Sequence, residues 1–117
     1  MNIHETTNDD IIIFALEGRL DSNTSEDFEQ QLMTKIDGSH NKMIVEFSAL
    51  NYISSAGLRV LLMAAKRLKV GNGSFVLCGL KAHLHEIFEI SGFLQILTIV
   101  NNLEDAQTVI ADNYEMS

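Results

Sequence analysis

Short apolar runs alternate with helix-period segments along almost the whole chain. Runs rich in β-branched and aromatic residues predict strands, and they lie at 2–7, 11–16, 43–47, 74–78 and 96–100. Segments with apolar residues three and four apart predict helices, and they lie between Ser22 and Gly38 and at 56–70, 83–90 and 103–112. Turn-forming residues at 8–10 favour a hairpin between the first two strands, with Gly18 closing the second.

The inner apolar runs lack a clean alternation of apolar and polar residues, which is expected where helices cover a mixed or mostly parallel sheet. The pattern predicts one α/β domain over residues 1–117. It leaves the strand order open. The polar segment 48–54 reads as a loop that leads from the third strand into the second helix.

The charge balance restricts the kinds of partner. The chain carries 8 Lys and Arg residues against 16 Asp and Glu residues, for a formal net charge of -8. Such a surface repels phosphate backbones and anionic lipid, which argues against binding to nucleic acid or a membrane surface. The first residues show no basic and apolar leader, and no apolar stretch has bilayer length. These features predict a cytoplasmic protein without membrane insertion.

Cysteine and histidine give little support to a metal, cofactor or enzymatic site. Cys78 is the only cysteine and has apolar neighbours, so we expect a buried structural thiol. His83 and His85 are two residues apart, a spacing that points two side chains of a helix in different directions. The sequence has no phosphate-binding glycine motif and no nucleophile elbow. We therefore expect no metal, no cofactor and no enzyme.

The start of the second helix is the most informative place in the sequence. A strand is followed by polar residues and then by Ser54 and Ser55, directly before the amphipathic helix that begins at Ala56. A hydroxyl at this place caps the helix, and if phosphorylated it would sit where the helix dipole tolerates negative charge. A serine before a helix is most often only a cap. Gly57 is small enough to let another backbone or a nucleotide phosphate approach.

Three segments carry a family resemblance, and together they extend over essentially the whole chain. They are GRLDSNTSEDFEQQL, YISSAGLRVLL and HEIFEISGF. The chain resembles the STAS domain family, which includes bacterial anti-sigma-factor antagonists. The resemblance implies a mixed sheet with helices packed mainly on one face. It also implies a serine phosphorylated by a partner kinase that doubles as an anti-sigma factor, and a serine/threonine phosphatase that restores the hydroxyl.

Carried over by position, the resemblance assigns the phosphoacceptor to Ser55, with Ser54 as a competitor because the best-known antagonists have Asp there. Glu46 likewise stands where the family usually has a shorter Asp or Asn. The resemblance implies a partner-binding surface around the acceptor: Asp21, Ser22, Asn23, Ser54, Ala56, Gly57, Leu58 and Arg59.

Three functions remain open from the sequence. The first is a phosphorylation-controlled antagonist of an anti-sigma factor, which regulates transcription through partner exchange. The second is a STAS adaptor that is not phosphorylated and belongs to a larger complex. The third is a module that binds a nucleotide or another small ligand at the helix start.

Overall fold

The computed structural model describes residues 1–38 and 40–115 and contains five strands and four α-helices. A short 3-10 helix at Phe93–Gln95 precedes the last strand. The elements in chain order are β1 Asn2–Asn8, β2 Ile11–Leu20, α1 Ser25–Asp37, β3 Lys42–Ile53, α2 Ser55–Val70, β4 Ser74–Cys78, α3 Ala82–Ile90, β5 Thr98–Val100 and α4 Leu103–Glu115. Within these ranges, no helix is both long and apolar enough to cross a bilayer.

The strands form one mixed sheet in the order β1-β2-β3-β4-β5. β1 and β2 are antiparallel and form the predicted hairpin, while β2 to β5 run parallel to one another. Each parallel step is bridged by a helix, as parallel neighbours require. The predicted α/β class and mixed sheet are therefore confirmed.

Both faces of the sheet are buried, and this explains the nearly continuous apolar runs of the inner strands. In β2, Ile12 and Phe14 belong to the larger core cluster, whereas Ile11 and Ile13 belong to the smaller cluster on the opposite face. The larger cluster holds the buried side chains of α1, α2 and α3, and the smaller one holds those of α4. The helices thus pack mainly on one face, as expected.

Three sequence-based boundaries were wrong. The segment 48–54 is not a loop, because β3 continues to Ile53 and pairs there with the far end of β2. β2 does not close at Gly18 but continues to Leu20 through two register irregularities. The last strand starts at Thr98 rather than at 96, since the preceding residues form the 3-10 helix and a turn.

The extended pairing of β2 with β3 determines where the two following helices begin. The strands are parallel, so their carboxyl ends lie at the same edge of the sheet, where α/β proteins commonly bind ligands and partners. The backbone N–H of Ser54 donates to the carbonyl of Leu20 at 2.8 Å. This bond joins the segments that lead into α1 and α2.

Candidate functional site

Ser54, not Ser55, caps α2. Ser54 has an extended backbone (φ -94°, ψ 171°), and its Oγ accepts from the backbone N–H of Gly57 at 3.2 Å. Its carbonyl accepts from Leu58 N–H at 2.9 Å, the first hydrogen bond of the helix. The sequence predicted a cap from this serine pair without choosing between the two residues, because either could satisfy the local pattern. The predicted helix start at Ala56 was wrong by one residue, since α2 begins at Ser55.

Ser55 is the first helical residue, and its side chain is exposed. Its hydroxyl has no hydrogen-bond partner within residues 1–38 and 40–115, whereas the neighbouring Ser54 hydroxyl is engaged and half-buried. The free backbone N–H groups of the first turn and the helix dipole give this position a positive potential. The two adjacent serines therefore differ in accessibility and in bonding.

Gly57 is buried, and its small size is required by the protein itself. A Cβ built at this position would lie 2.8 Å from Leu20 Cγ and 3.0 Å from Ile53 Cγ1. The interpretation that Gly57 leaves room for an approaching backbone or nucleotide phosphate was wrong on this side of the residue. Gly57 instead seats the first turn of α2 on the ends of β2 and β3.

In the turn before α1, backbone N–H groups of the turn hold the Asp21 carboxylate in place. Asp21 Oδ1 accepts from the N–H groups of Asn23 at 3.0 Å and Thr24 at 3.1 Å. Thr24 Oγ1 in turn accepts from Asp21 N–H at 2.9 Å and donates to the carbonyl of Arg19 at 2.9 Å. We name residues 21–24 the Asp21 turn. Its hydrogen bonds fix the carboxylate beside the start of α1.

The pKa of Asp21 is lowered from its ordinary value. Partial burial of the carboxyl raises the pKa, but the hydrogen bonds from Thr24 and Asn23 outweigh that effect, and the nearby Arg19 charge adds to them. Arg19 Nε lies 3.9 Å from Asp21 Oδ2, and the guanidinium carbon lies 4.1 Å from the ring centroid of Tyr52. The Asp21 carboxyl is therefore ionised at neutral pH, and Arg19 connects it to Tyr52 of β3.

A groove of about 570 Å³ runs between the first turns of α1 and α2. Glu26 and Glu29 lie on the α1 side, and Arg59 lies on the α2 side together with Ala56. The other lining residues are Ser22, Ser25, Gln30 and Met33. We name this cleft the α1–α2 groove. Ala56 and Arg59 lie one and four residues after Ser55, so the groove begins beside Ser55.

The structure brings most of the predicted partner-binding residues to one edge of the sheet, on the Asp21 turn and the first turns of α2. Ser22, Asn23, Ser55 and Arg59 are exposed there. Asp21, Ser54, Ala56 and Leu58 are half-buried, and Leu58 packs against the larger core cluster. Gly57 alone among these residues offers no surface.

Sequence reasoning missed the two acidic groove residues and the Arg19–Tyr52 contact. Glu26 and Glu29 read as part of a solvated helix face. Their spacing of three residues, which puts two side chains on one side of a helix, was the available signal. The Arg19–Tyr52 contact depends on the register of β2 with β3, which no local pattern contains.

The surroundings of Cys78, His83 and His85 are those of residues with a structural role. Cys78 is fully buried, and burial raises the pKa of its thiol to about 12, so it is unreactive as expected. A ring nitrogen of His83 lies 2.8 Å from the carbonyl of Asn51, and His85 lies beside Glu89. In the part of the chain that the structure describes, no three His, Cys, Asp or Glu side chains form a group suited to a metal ion.

Solved structures with this fold include anti-sigma factor antagonists. A candidate antagonist from Thermotoga maritima superposes with a TM-score of 0.90 at 17% identity, covering 93% of this chain and 94% of its own. The antagonist SpoIIAA in its unphosphorylated form has a TM-score of 0.74 at 16% identity, covering 92% of this chain and 94% of its own. The chain therefore has the same fold as these two structures.

The sequence model described as "STAS domain" matches residues 2–106. The chain belongs to the STAS domain family. It is 43% identical over 98 residues to BtrV of Bordetella bronchiseptica, a candidate anti-sigma factor antagonist, covering 84% of each chain. The resemblance seen in the sequence is confirmed.

Proposed function

We propose that this protein is an anti-sigma-factor antagonist, a non-enzymatic binding switch with Ser55 as its phosphoacceptor. The observation that carries the proposal is the contrast between the two serines at the start of α2. Ser55 is exposed with a hydroxyl unengaged in the described chain, while the Ser54 hydroxyl caps the helix. A kinase could reach Ser55 without breaking a hydrogen bond. This favours Ser55 over its competitor Ser54.

The proposed partner surface consists of the Asp21 turn and the first turns of α2. Its exposed members lie on both sides of the α1–α2 groove, and its half-buried members join them to the core. Asp21 is held by main-chain N–H groups, so it is oriented before any partner arrives. A surface with fixed polar groups loses little conformational entropy on binding.

The switch chemistry is a reversible phosphoryl transfer. Ser55 Oγ attacks the γ-phosphorus of a nucleoside triphosphate held by the kinase, and the bond to the β-phosphate oxygen breaks. The hydroxyl proton passes to a base on the kinase, and a nucleoside diphosphate leaves. The hydroxyl is restored by a separate hydrolysis, in which a water at the phosphatase attacks phosphorus and the bond to Ser55 Oγ breaks. A proton from that water ends on Ser55 Oγ, and inorganic phosphate leaves. We infer that the kinase is also the anti-sigma factor and that both partners act in the cytoplasm.

Phosphorylation would release the partner by exclusion rather than by a change of fold. A phosphoserine carries about -1.5 to -2 charge at neutral pH. Burying that charge in a docked interface without a partner cation costs several kcal/mol, and about 1.4 kcal/mol is a factor of ten in affinity. The antagonist SpoIIAA, which has this fold, has been solved in a phosphorylated form as well as an unphosphorylated one.

The experiment is peptide-level mass spectrometry of the protein from its native cells, grown with and without stress. Wild type, Ser55→Ala and Ser54→Ala are compared. We expect a stress-dependent phosphate on Ser55, lost in Ser55→Ala and kept in Ser54→Ala. Ser54→Ala is the matched control because it removes the neighbouring hydroxyl of the same type.

Three results would contradict the proposal. A phosphate on Ser54 would reassign the acceptor. An unmodified serine pair under every condition, with the same partner captured by wild type and Ser55→Ala, would favour the adaptor function. Stabilisation of the isolated protein by an added nucleotide would favour the ligand-binding module instead.

A further inference from the structure

Arg59 differs from the other two arginines in having no ion-pair partner in the described chain. Arg19 contacts Asp21 and Tyr52, and Arg67 pairs with Asp37 at 2.6 Å. Arg59 is exposed and is paired with no carboxylate among residues 1–38 and 40–115. Its guanidinium is thus free to take up a charge that arrives nearby.

The position of Arg59 relative to Ser55 is that of a neighbour on one helix face. The two residues are four apart in α2, so their side chains lie one above the other on the helix surface. An anion at the earlier position and a cation four residues later is the favourable order for such a pair. The reverse order, with the cation four residues before the anion, is less favourable.

Arg59 also lies on the wall of the α1–α2 groove that faces Glu26 and Glu29. It is the one cationic side chain among the described residues that line this groove. The charge of the groove therefore depends on where the Arg59 guanidinium points.

We propose that Arg59 is the intramolecular counter-ion of the phosphoryl group on Ser55 and that it turns from the groove to the phosphate on phosphorylation. This inference rests on the proposed function, since it needs a phosphate at Ser55. A guanidinium presents paired N–H donors that match phosphate oxygens two at a time. The new pair therefore forms at the helix surface without any movement of the main chain.

The consequence is that one phosphate changes two parts of the partner surface. It adds a dianion at Ser55, and it removes the cation that faces Glu26 and Glu29. The α1–α2 groove then presents two carboxylates without a counter-charge from α2. A partner that docks on the unmodified surface meets negative charge at both places, which strengthens its exclusion.

The test measures the second ionisation of the phosphate directly. Phosphoserine is incorporated at position 55 during translation, so no kinase is needed, and the phosphorus NMR signal is titrated from about pH 4 to about pH 8. The cation favours the dianion, so Arg59 lowers this pKa from its usual value near ~6. We expect Arg59→Gln to raise it by about 0.3 unit, as expected for one exposed pair four residues apart. Arg59→Lys should retain part of the effect.

The matched control is Lys66→Gln, which removes one positive charge from the same helix. Lys66 is eleven residues after Ser55, roughly 16 Å along the helix axis, beyond the screening length in ordinary buffer. We expect less than about 0.1 unit of change from this variant. In the wild type, the Arg59 side-chain N–H signal should also shift when the phosphate becomes a dianion.

Equal pKa values in Arg59→Gln and Lys66→Gln, with an unmoved Arg59 signal, would overturn the proposal. The result is independent of the switch itself. If the native protein is never phosphorylated, the proposed function fails, yet the titration of the installed phosphoserine still decides whether Arg59 pairs with it.

Discussion

The two segments that lead into α1 and α2 lie at the same edge of the sheet and are built in opposite ways. In the Asp21 turn, the carboxylate and the Thr24 hydroxyl make four hydrogen bonds among residues 19–24 at 3.1 Å or less. At the start of α2, Ser54 takes the cap, and the next hydroxyl is left without a partner in the described chain.

The two segments therefore have different roles: the Asp21 turn presents an oriented polar group, and Ser55 presents a hydroxyl that can be modified. The Asp21 turn is a fixed polar feature that a partner can bind without ordering it first. Ser55 has a hydroxyl without a partner in the described chain, and the start of its helix is fixed by Ser54 and by the packing of Gly57 on Leu20. A modification at Ser55 can therefore change the charge of the surface while its geometry stays the same.

The largest effect is expected from a charge at the free hydroxyl. Ser55→Asp should weaken binding of the proposed anti-sigma-factor partner at least about a hundredfold, because the carboxylate is desolvated in an interface to which the partner contributes no cation. The measurement is calorimetric titration of the purified partner. Asn8→Asp is the control, since it adds the same charge at an exposed position at the end of β1.

The control variant should bind as wild type does, since Asn8 pairs with the first residue of β2 and lies at the edge of the sheet opposite to Ser55. A Ser55→Asp protein that bound the partner as tightly as wild type would remove the reason to distinguish Ser55 from the fixed turn beside it.

Gly57→Ala should lower the free energy of unfolding by about 1.5 kcal/mol. The new methyl would overlap Leu20 Cγ at 2.8 Å, and overpacking of about 1–3 kcal/mol exceeds the gain of up to ~1 kcal/mol in helix propensity. Gly71→Ala is the control, because the nearest atoms to a Cβ there lie at 3.8 Å, an ordinary contact. Urea denaturation measures both. A Gly57→Ala protein as stable as Gly71→Ala would mean that the start of α2 is not tightly seated.

Replacing Ser54 should lower the stability of the protein, whereas replacing Ser55, the proposed phosphoacceptor, should leave it nearly unchanged. Ser54→Ala removes the cap of α2 and should cost about 1 kcal/mol. Ser55→Ala changes an exposed hydroxyl without a partner in the described chain and should stay within about 0.5 kcal/mol of wild type. Thermal unfolding of the two variants side by side provides the measurement, and each serves as the control of the other. The reverse order would place the cap on Ser55.

The fold class could be predicted from sequence because each inner strand and helix has a strong local pattern. The run at 11–16 forms the first part of β2, and the helix predicted at 56–70 appears within one residue of its predicted bounds. The polar segment 48–54 could not be recognised as strand. Its pairing partner is the far end of β2, and that pairing passes through two irregularities in register. Pairing between distant segments leaves no trace in the composition of either one.

The candidate site was predictable in its location but not in its bonding. The order of strands and helices placed the serine pair at the carboxyl edge of the sheet, and the family resemblance placed Asp21 near it. Which serine caps the helix depends on a single hydrogen bond to Gly57, and both residues have the same intrinsic capping tendency. The α1–α2 groove also escaped prediction, since it depends on how α1 and α2 pack against each other.

The smallest effect concerns the charge in the fixed turn and appears as a dependence on pH. The folded-state pKa of Asp21 lies below its ordinary value of 3.8, because the Thr24 and Asn23 hydrogen bonds outweigh the effect of burial. The ionised carboxylate therefore contributes stability above that ordinary value and loses it as the pH falls through the lowered pKa. Asp21→Asn keeps an acceptor but no charge. It should be less stable than wild type at neutral pH, and the gap should close below about pH 4.

Urea denaturation of both proteins at a series of pH values measures this gap, and Asp10→Asn is the comparison. The pKa of Asp10 is also lowered, chiefly by the side-chain hydrogen bond from Lys42, whose Nζ lies 2.7 Å from Asp10 Oδ2. High salt weakens exposed ion pairs, so it should shrink the Asp10 gap, which depends on the Lys42 charge, more than the Asp21 gap, which depends mainly on neutral N–H donors. A gap for Asp21→Asn that is constant with pH would show that the turn holds an acceptor rather than a charge. The Asp21 turn would then depend on hydrogen bonding to an uncharged acceptor and not on the negative charge of the carboxylate.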